Sequence, residues 1–551
     1  MNIKLEIEKL IRNALANALK EINIKTEIET IIIEIPKDKS FGDYTTNVAM
    51  MIAKICKKKP RDMADLIIKS VQENEIIEKC VVAGTGFVNI FLKQNCFEGI
   101  LKRISSERED YGISKRGKGK KVLVEFLSAN PTGPLHIGHG RNCILGDTIA
   151  RLYEANGYEV TREYYYNDGG VQMTKLGETL RARYLQLLGE NVDIPENGYK
   201  GDYMIDIAKK LLKDVGDKRK NTNEIKVFTK YAADDIMEDI KDDLDKIGIH
   251  FDVYSNESDL FKQGKVQETL DELQKRGYLY EKDGALWFKS SEFGDSEDKV
   301  IKKSDGSYTY LTPDIAYHRE KFRRGYDVLV NIWGEDHKGY IQRLTGAIEA
   351  LGLNKDALKV IIYGIVNLYK DGAKTKLSTR SGEFMTFKEI LIELGPDVIR
   401  FFFCMRNAIS EMVFDWDLAK ESSEKNPVHY VRYGHARVCS IFAKAKEKNI
   451  EWKGIEESDL SLLKSPEERD LINTLAIFPE VVEDALDNFA PHILTDYLRD
   501  LVSYYHKFYH DHRVISDDIN LMNARFALID CTRIVLKNGL GILGISAPER
   551  M

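Results

Sequence analysis

The sequence predicts an α/β chain with a parallel sheet in the middle, a smaller α/β unit before it and an all-α bundle after it. Three observations carry this. A strand, a helix and a second strand follow one another within about forty residues, at 122–165. A βαβ unit of that length implies a parallel pair with a right-handed crossover. Strand-like runs return at 308–311, 328–332 and 360–365, with helices between them. From 426 to 545 nothing reads as strand, and long amphipathic stretches succeed one another as in a helical bundle.

At 551 residues the chain has room for three or four domains. Its 43% hydrophobic and 31% charged residues exclude disordered and collagen-like classes. No apolar run nears the ~18 residues that a membrane span needs. Residues 1–12 carry Lys4, Glu6, Glu8 and Lys9 where a signal peptide would be apolar, so a cytoplasmic protein without a membrane partner is expected. The net charge of −7 argues against a generic polycation, although a local basic surface can still bind nucleic acid. The seven cysteines are scattered without a CxxC pair, which predicts free thiols in a reducing compartment and no zinc site.

In chain order, Ile7, Leu10, Ile11, Leu15 and Leu19 at helical spacing predict a helix over 6–20. Residues 30–35 are β-rich, and Thr85-Gly86 leads into an alternating strand at 87–92. The basic, Gly-containing segment 115–121 reads as a solvated linker and closes a first domain at 1–115. The central domain, 116–420, opens with a short apolar strand at 122–126 and a turn from Ser128 to Pro134. A helix follows with Ile144, Leu145, Ile149, Leu152 and Tyr153 on one side, stopped by Asn156-Gly157. The next strand, 159–165, runs into Asn167-Asp168-Gly169-Gly170. Residues from about 175 to 300 are highly charged and read as a mostly helical insertion. The last domain, 421–551, is predicted as helices over 428–445, 467–486, 491–510 and 522–540.

The strongest chemical signal is Pro134-Leu135-His136-Ile137-Gly138-His139, between a strand and a helix. A helix start offers free N–H groups and a positive dipole end, a natural anion site. His136 and His139 lie three apart on one face of the first turn, where both could meet a triphosphate. Gly138 leaves room for a flat base or ribose. The chemistry suggested is attack on an α-phosphate, with histidine donors to the developing charge, each worth ~3–4 kcal/mol.

This tetrad resembles the HIGH signature of class I aminoacyl-tRNA synthetases. The longer string Glu125-Phe126-Leu127-Ser128-Ala129-Asn130-Pro131-Thr132-Gly133-Pro134-Leu135-His136-Ile137-Gly138-His139 is similar to the version in the arginyl-tRNA synthetase family. Further segments resemble that family in the same order: Phe41-Gly42-Asp43-Tyr44, Gly86-Phe87-Val88-Asn89, Tyr164 to Gln172, Tyr310-Leu311-Thr312-Pro313-Asp314-Ile315-Ala316-Tyr317, Gly334-Glu335-Asp336-His337, Asn426 to Arg437, and the ending Ser546-Ala547-Pro548-Glu549-Arg550-Met551. The resemblance covers essentially the whole chain. It implies a Rossmann-like catalytic domain between an N-terminal tRNA-contacting domain and a helical anticodon-binding bundle. It implies ATP and Mg²⁺, L-arginine and tRNA-Arg as reaction partners, and activation that needs bound tRNA. A monomer is the default expectation.

The resemblance also implies site residues. A guanidinium is planar and permanently charged, so carboxylates in fork geometry hold it best. Glu125 and Asp314 would face it, with Tyr310 adding a hydroxyl. Ser128 and Asn130 would hold the α-amino and carboxylate groups, and Gln172 would line the same pocket. ATP would meet Pro134, His136, Gly138 and His139 on one side, and Gly334, Asp336 and His337 on the other. Lys376-Leu377-Ser378-Thr379-Arg380, about 240 residues after the tetrad, stands where a KMSKS loop belongs, in a segment spanning 374–382. Lys376, Ser378 and Arg380 would serve the phosphates. Thr379 replaces the second lysine of that signature, and Lys120 or Lys121 could compensate. Tyr430, Tyr433, Arg437 and Met551 would contact tRNA, since unpaired bases stack on aromatic rings and guanidinium planes. Three alternatives stay open at this point: a small nucleotidyltransferase with a similar turn, a catalytically silent tRNA-binding paralogue, and a class I synthetase of another specificity.

Overall fold

The computed structural model describes residues 3–26, 28, 30–34, 36, 41–374 and 385–551. At its centre lies a five-stranded parallel sheet. From edge to edge the strands are Leu358–Tyr363, Val328–Gly334, Lys121–Glu125, Glu159–Tyr166 and Val253–Asn256. The chain enters in the middle strand, winds outward on one side, and then returns to build the other. The order reverses between Lys121–Glu125 and Val328–Gly334, so a crevice opens at the carboxyl ends of these two strands. Their register sets Glu125 opposite Asn331.

The middle strand is apolar on both faces because helices cover both: Val122, Leu123 and Val124 are fully buried. The helix Ile137–Ala155 lies close against the sheet. A Cβ at Gly146 would come within 2.2 Å of the Phe126 ring, so glycine permits that approach. Asn142 on this helix staples the crevice. Its Oδ1 accepts from the Leu127 N–H at 2.5 Å and its Nδ2 donates to the Ile332 carbonyl at 3.1 Å.

Two expectations within the central domain are corrected. Residues 308–311 do not form a strand; Tyr308 makes only an isolated bridge to Lys302, and the helix Leu311–Arg323 begins there. Pro313 sits in its first turn, where a missing N–H costs nothing. The segment 175–300 is not a continuous insertion, because Val253–Asn256 joins the central sheet as an edge strand. Before it stand the helices Gly170–Leu187, Tyr203–Val215 and Ile225–Lys246; after it comes a small antiparallel sheet of Leu279–Lys282, Ala285–Phe288 and Lys299–Lys302.

In the N-terminal unit the helices Val48–Ala53 and Pro60–Lys69 lie against a three-stranded antiparallel sheet of Tyr44–Thr46, Phe87–Leu92 and Ile77–Ala83, and the helix Ile3–Glu21 packs on Pro60–Lys69. Among the described residues, the β-rich stretch near residue 30 contributes a bridge between Glu34 and Thr45. Asp43 fastens this unit to the bundle, its Oδ1 accepting from Asn473 Nδ2 at 2.9 Å. The bundle comprises Pro427–Glu447, Pro466–Ala476, Phe478–Asp487, Pro491–Asp511 and Ile519–Ile542. The single helix expected over 467–486 is broken at Ile477, where Pro479 enters the first turn of a new helix. Arg400, fully buried, ties bundle to sheet: it pairs with Asp147 on the Ile137–Ala155 helix and donates to the Leu543 carbonyl at 3.0 Å. Among the described residues no helix is long and apolar enough to cross a membrane.

Candidate active site

The crevice begins where the middle strand ends. Leu127 and Ser128 both adopt positive φ, 65° and 45°, a region that costs a non-glycine residue ~1–2 kcal/mol. Asn142 holds the first, and the Ser128 hydroxyl holds the second by donating to Glu125 Oε1 (3.2 Å) and accepting from the Tyr165 N–H (3.2 Å). Ser128 therefore has its hydrogen committed and a lone pair left for a substrate donor. Asn130 Oδ1 accepts from the Asn167 N–H at 3.0 Å, and its amide lies 3.4 Å from Gln172 Oε1. The three residues expected around the amino-acid backbone, Ser128, Asn130 and Gln172, are thus brought together.

The turn that follows places the two histidines. His136 caps the helix: its Nδ1 accepts from the N–H groups of Gly138 (3.1 Å) and His139 (3.3 Å). His139 Nδ1 in turn accepts from the His136 N–H at 3.3 Å, and the rings stack with centroids 3.6 Å apart. Accepting at Nδ1 requires a lone pair there, so each neutral ring carries its hydrogen on Nε2. Burial pushes His139 down to about 3, with the neighbouring His136 adding to the effect, and burial also holds His136 below its ordinary value. The pair is two fixed, uncharged Nε2–H donors. A Cβ at Gly138 would stand 3.0 Å from His136 Cε1, so a side chain there would press on the ring by a few tenths of an ångström. Leu135 accepts from the Phe387 N–H at 2.8 Å, and His136 bridges Thr386, so the chain downstream of residue 384 starts against the histidine turn. Lys376, Ser378, Thr379 and Arg380 lie outside the described residues.

The acids meet on the other side of the crevice. Asp314, in the first turn of Leu311–Arg323, accepts from the Tyr340 hydroxyl at 2.7 Å and has no ion pair among the described residues. Burial, with Glu125 and Glu257 nearby, pushes its carboxyl up to about 7 against the Tyr340 hydrogen bond and the Lys321 charge. Glu257, just past the edge strand, accepts from the Tyr165 hydroxyl at 3.3 Å, and burial raises its carboxyl as well. The Tyr310 hydroxyl is pushed up to about 12 by burial and by these same acids, although the residue as a whole is 60% exposed. Glu125 ends the middle strand at the floor of the crevice. It is ion-paired with Lys321, a side chain with no exposure, and its other oxygen is taken by Ser128.

Across the crevice, Gly334 ends its strand and Asp336 folds back over it; a Cβ at Gly334 would lie 2.6 Å from Asp336 Oδ1. Asp336 is exposed, and His337 stands 3.6 Å from it. Pro134 remains half-buried beside the histidine turn. The arrangement offers neutral N–H donors for phosphate oxygens, a carboxylate at the mouth of the sheet, and an acidic pocket lined with tyrosine hydroxyls for a cation.

Three family models match the chain: the arginyl tRNA synthetase N-terminal domain over 6–92, the catalytic domain of class I (R) tRNA synthetases over 101–396, and the DALR anticodon binding domain over 431–551. The arginine–tRNA ligase of Caldanaerobacter subterraneus subsp. tengcongensis is 45% identical over 554 residues, covering 100% of this chain and 99% of that protein. The chain belongs to the arginyl-tRNA synthetase family. The arginine–tRNA ligase of Oceanobacillus iheyensis agrees, at 42% identity over 558 residues and 100% of both chains. The solved Thermus thermophilus arginyl-tRNA synthetase shares the fold, with a TM-score of 0.74 at 23% identity, covering 99% of this chain and 100% of that one. The synthetase is therefore an enzyme that joins arginine to tRNA with ATP as a substrate.

In the bundle of the synthetase, Tyr430, Tyr433 and Arg437 share the helix Pro427–Glu447. Arg437 lies over the rings of both Tyr433 (5.6 Å) and Tyr509 (5.0 Å), and Tyr430 meets His506 edge-on. Tyr505 and Phe508 are buried core, as their spacing suggests. Met551 is 52% exposed; the tail before it is held by His435, which bonds the Pro548 carbonyl at 2.8 Å. Sequence reasoning missed Glu257, Lys321 and Tyr340. For Lys321 a signal existed: Asp314, Tyr317, His318 and Lys321 fall at i, i+3, i+4 and i+7, a polar stripe where a core-facing helix would be apolar.

Proposed function

We propose that the crevice activates L-arginine, with Glu125 and Asp314 facing the guanidinium, the Tyr310 hydroxyl beside them and Glu257 close by. Ser128 accepts from the α-ammonium, while Asn130 and Gln172 hold the carboxylate. The arginine carboxylate forms a bond to the α-phosphorus of ATP, and pyrophosphate leaves with the electron pair of the broken P–O bond. His136 and His139 donate Nε2–H to the phosphate oxygens, beside Pro134 and Gly138. Gly334, Asp336 and His337 take the adenosine side, and Lys376, Ser378 and Arg380 neutralise the departing pyrophosphate. The terminal ribose 2′-hydroxyl of tRNA-Arg then attacks the carbonyl of the adenylate and AMP leaves.

Among the described residues no group of three or more His, Cys, Asp or Glu could hold a metal ion. In this reading Mg²⁺ enters on the triphosphate, as part of the Mg-ATP substrate. Tyr430, Tyr433, Arg437 and Met551 contact the tRNA, and those contacts weaken with salt. The domains divide at 115 and 420, and the protein works as a cytoplasmic monomer.

The observation that carries this reading is Asp314: a carboxyl at the crevice, next to a second acid, without an ion pair among the described residues. Lysine lacks the guanidinium fork, so such a pair selects arginine. Charging of total tRNA with each labelled amino acid and Mg-ATP tests it. Arginine alone is expected to charge; charging with another amino acid refutes the pocket.

A further inference from the structure

The mechanism above gives no task to Arg141. This residue follows the histidine turn by two positions on the helix Ile137–Ala155 and is 1% exposed. Its fork closes on four backbone carbonyls: Nη1 donates to Gly364 (2.7 Å) and Ser410 (2.9 Å), and Nη2 to Asn407 and Ala408 (both 3.1 Å). Among the described residues no carboxylate pairs with it. Burial pushes the guanidinium down to about 10, so it stays charged at neutral pH. A buried cation usually sits on an acid; here carbonyl dipoles hold the charge without cancelling it. The segments it grips lie on the adenosine side of the crevice. Gly364 directly follows Tyr363, the register partner of Gly334, and its N–H donates to the Ala408 carbonyl at 2.9 Å. The two segments approach so closely that a Cβ at Gly364 would stand 2.7 Å from the Ser410 oxygen. Just beyond them the strand Val366–Lys370 pairs in parallel with Met412–Asp415.

We propose that Arg141 is a positioning residue for ATP, which locks the histidine turn to the adenosine side of the crevice and keeps an uncancelled positive charge behind the phosphate end. The proposal rests on reading the histidine turn as the phosphate site and Gly334 as part of the adenosine side. ATP has to reach both at once, so the gap between them fixes where the α-phosphorus sits. A misplacement of about 1 Å can cost ~10²-fold in rate. Two neighbours on one helix set that gap. Asn142 donates to the Ile332 carbonyl on the strand Val328–Gly334 (3.1 Å), and Arg141 reaches one strand further out, to Gly364 beyond Leu358–Tyr363. The fork is required for this reach. A lysine ammonium would keep the charge but could not serve four carbonyls spread over Gly364 and 407–410. None of the four belongs to the arginine pocket, so the arginine side should not feel the loss.

The experiment compares Arg141→Met and Arg141→Lys with wild type in the full chain with tRNA present. It reads kcat and the KM values for ATP and arginine in pyrophosphate exchange, with thermal unfolding beside them. Arg141→Met loses both charge and clamp, so its ATP KM is expected to rise about tenfold while arginine KM stays within about twofold of wild type. Arg141→Lys keeps the charge and loses the fork; its ATP KM is expected between the other two, with kcat lowered as in Arg141→Met. A merely structural arginine would reduce thermal stability and the active fraction and leave both KM values unmoved. A folded Arg141→Met enzyme with wild-type ATP KM therefore overturns the proposal. So does one whose arginine KM rises as far as its ATP KM. Where Arg141→Met fails to fold, Arg141→Lys decides: an ATP KM raised about threefold or more with arginine KM unmoved supports the proposal, and a smaller rise, or an equal rise in arginine KM, rejects it. Wild-type exchange in His136→Ala would instead bring down the reading of the histidine turn itself.

Discussion

Asp314→Asn is the perturbation that separates binding from folding most cleanly. The variant keeps the shape of the side chain and can still accept from Tyr340, but it cannot carry a charge. Hydrogen bonds to charged groups contribute ~1.5–3 kcal/mol, so arginine kcat/KM should fall roughly 10- to 150-fold. KM for ATP should hardly move, since the histidine turn is untouched. The wild-type enzyme adds a pH signature. With its carboxyl near 7, Asp314 is about one-tenth ionised at pH 6 and nine-tenths at pH 8. Only the ionised form pairs with a guanidinium, so arginine KM should fall about tenfold as pH rises across that window, with a proton released on binding. The stability effect runs the other way. A carboxyl raised from 3.8 to about 7 destabilises the empty protein progressively as pH climbs between those values. The asparagine variant should therefore unfold no more easily than wild type above pH 7, even as it loses arginine. Arginine-dependent charging and pyrophosphate exchange from pH 6 to 8, with thermal unfolding beside them, make the assay. A flat wild-type profile, or a variant with wild-type arginine KM, would refute the reasoning.

Other consequences are as direct. His136→Ala should lower the pyrophosphate-exchange kcat by ~10²–10³ while arginine KM shifts little, and His139, which burial pushes down to about 3, should show no titration between pH 5 and 8. Gly140→Ala would set a Cβ 2.3 Å from the Phe387 ring; the clash should cost ~1–3 kcal/mol in denaturant unfolding and reduce turnover by displacing the histidine turn. Arg400→Met removes a buried partner of Asp147, which Arg151 and Arg162 still hold, so a loss of about 3 kcal/mol in the unfolding of the catalytic domain is expected. Tyr433→Ala with Arg437→Ala should raise the KM for tRNA and reduce the slope of binding against log salt, leaving arginine and ATP constants near wild type.

How far the sequence reaches can be judged from particular residues. The histidine turn was legible because its constraint is local: strand, turn and helix succeed one another within twenty residues, and the cap is made by the histidines themselves. The buried middle strand and the strand at 328–334 announced themselves as apolar runs. The helix at 311–323 did not, because Tyr308 to Leu311 look β-prone in isolation and only the sheet packing settles the matter. Glu257 was invisible for a different reason. The strand just before it is four residues long, at a sheet edge, within a charged stretch whose pattern resembles insertion helices. Lys321 and Glu125 lie 196 residues apart, and nothing local ties a lysine to a carboxylate at that range. The resemblance supplied Glu125 as an acid at the pocket, while the counter-ion that occupies it emerged only from the tertiary structure.

The most direct test of the account is a crystal structure of the enzyme with arginine bound. It should place the guanidinium within hydrogen-bond distance of Asp314 and Glu125. A guanidinium seated away from Asp314 would contradict it.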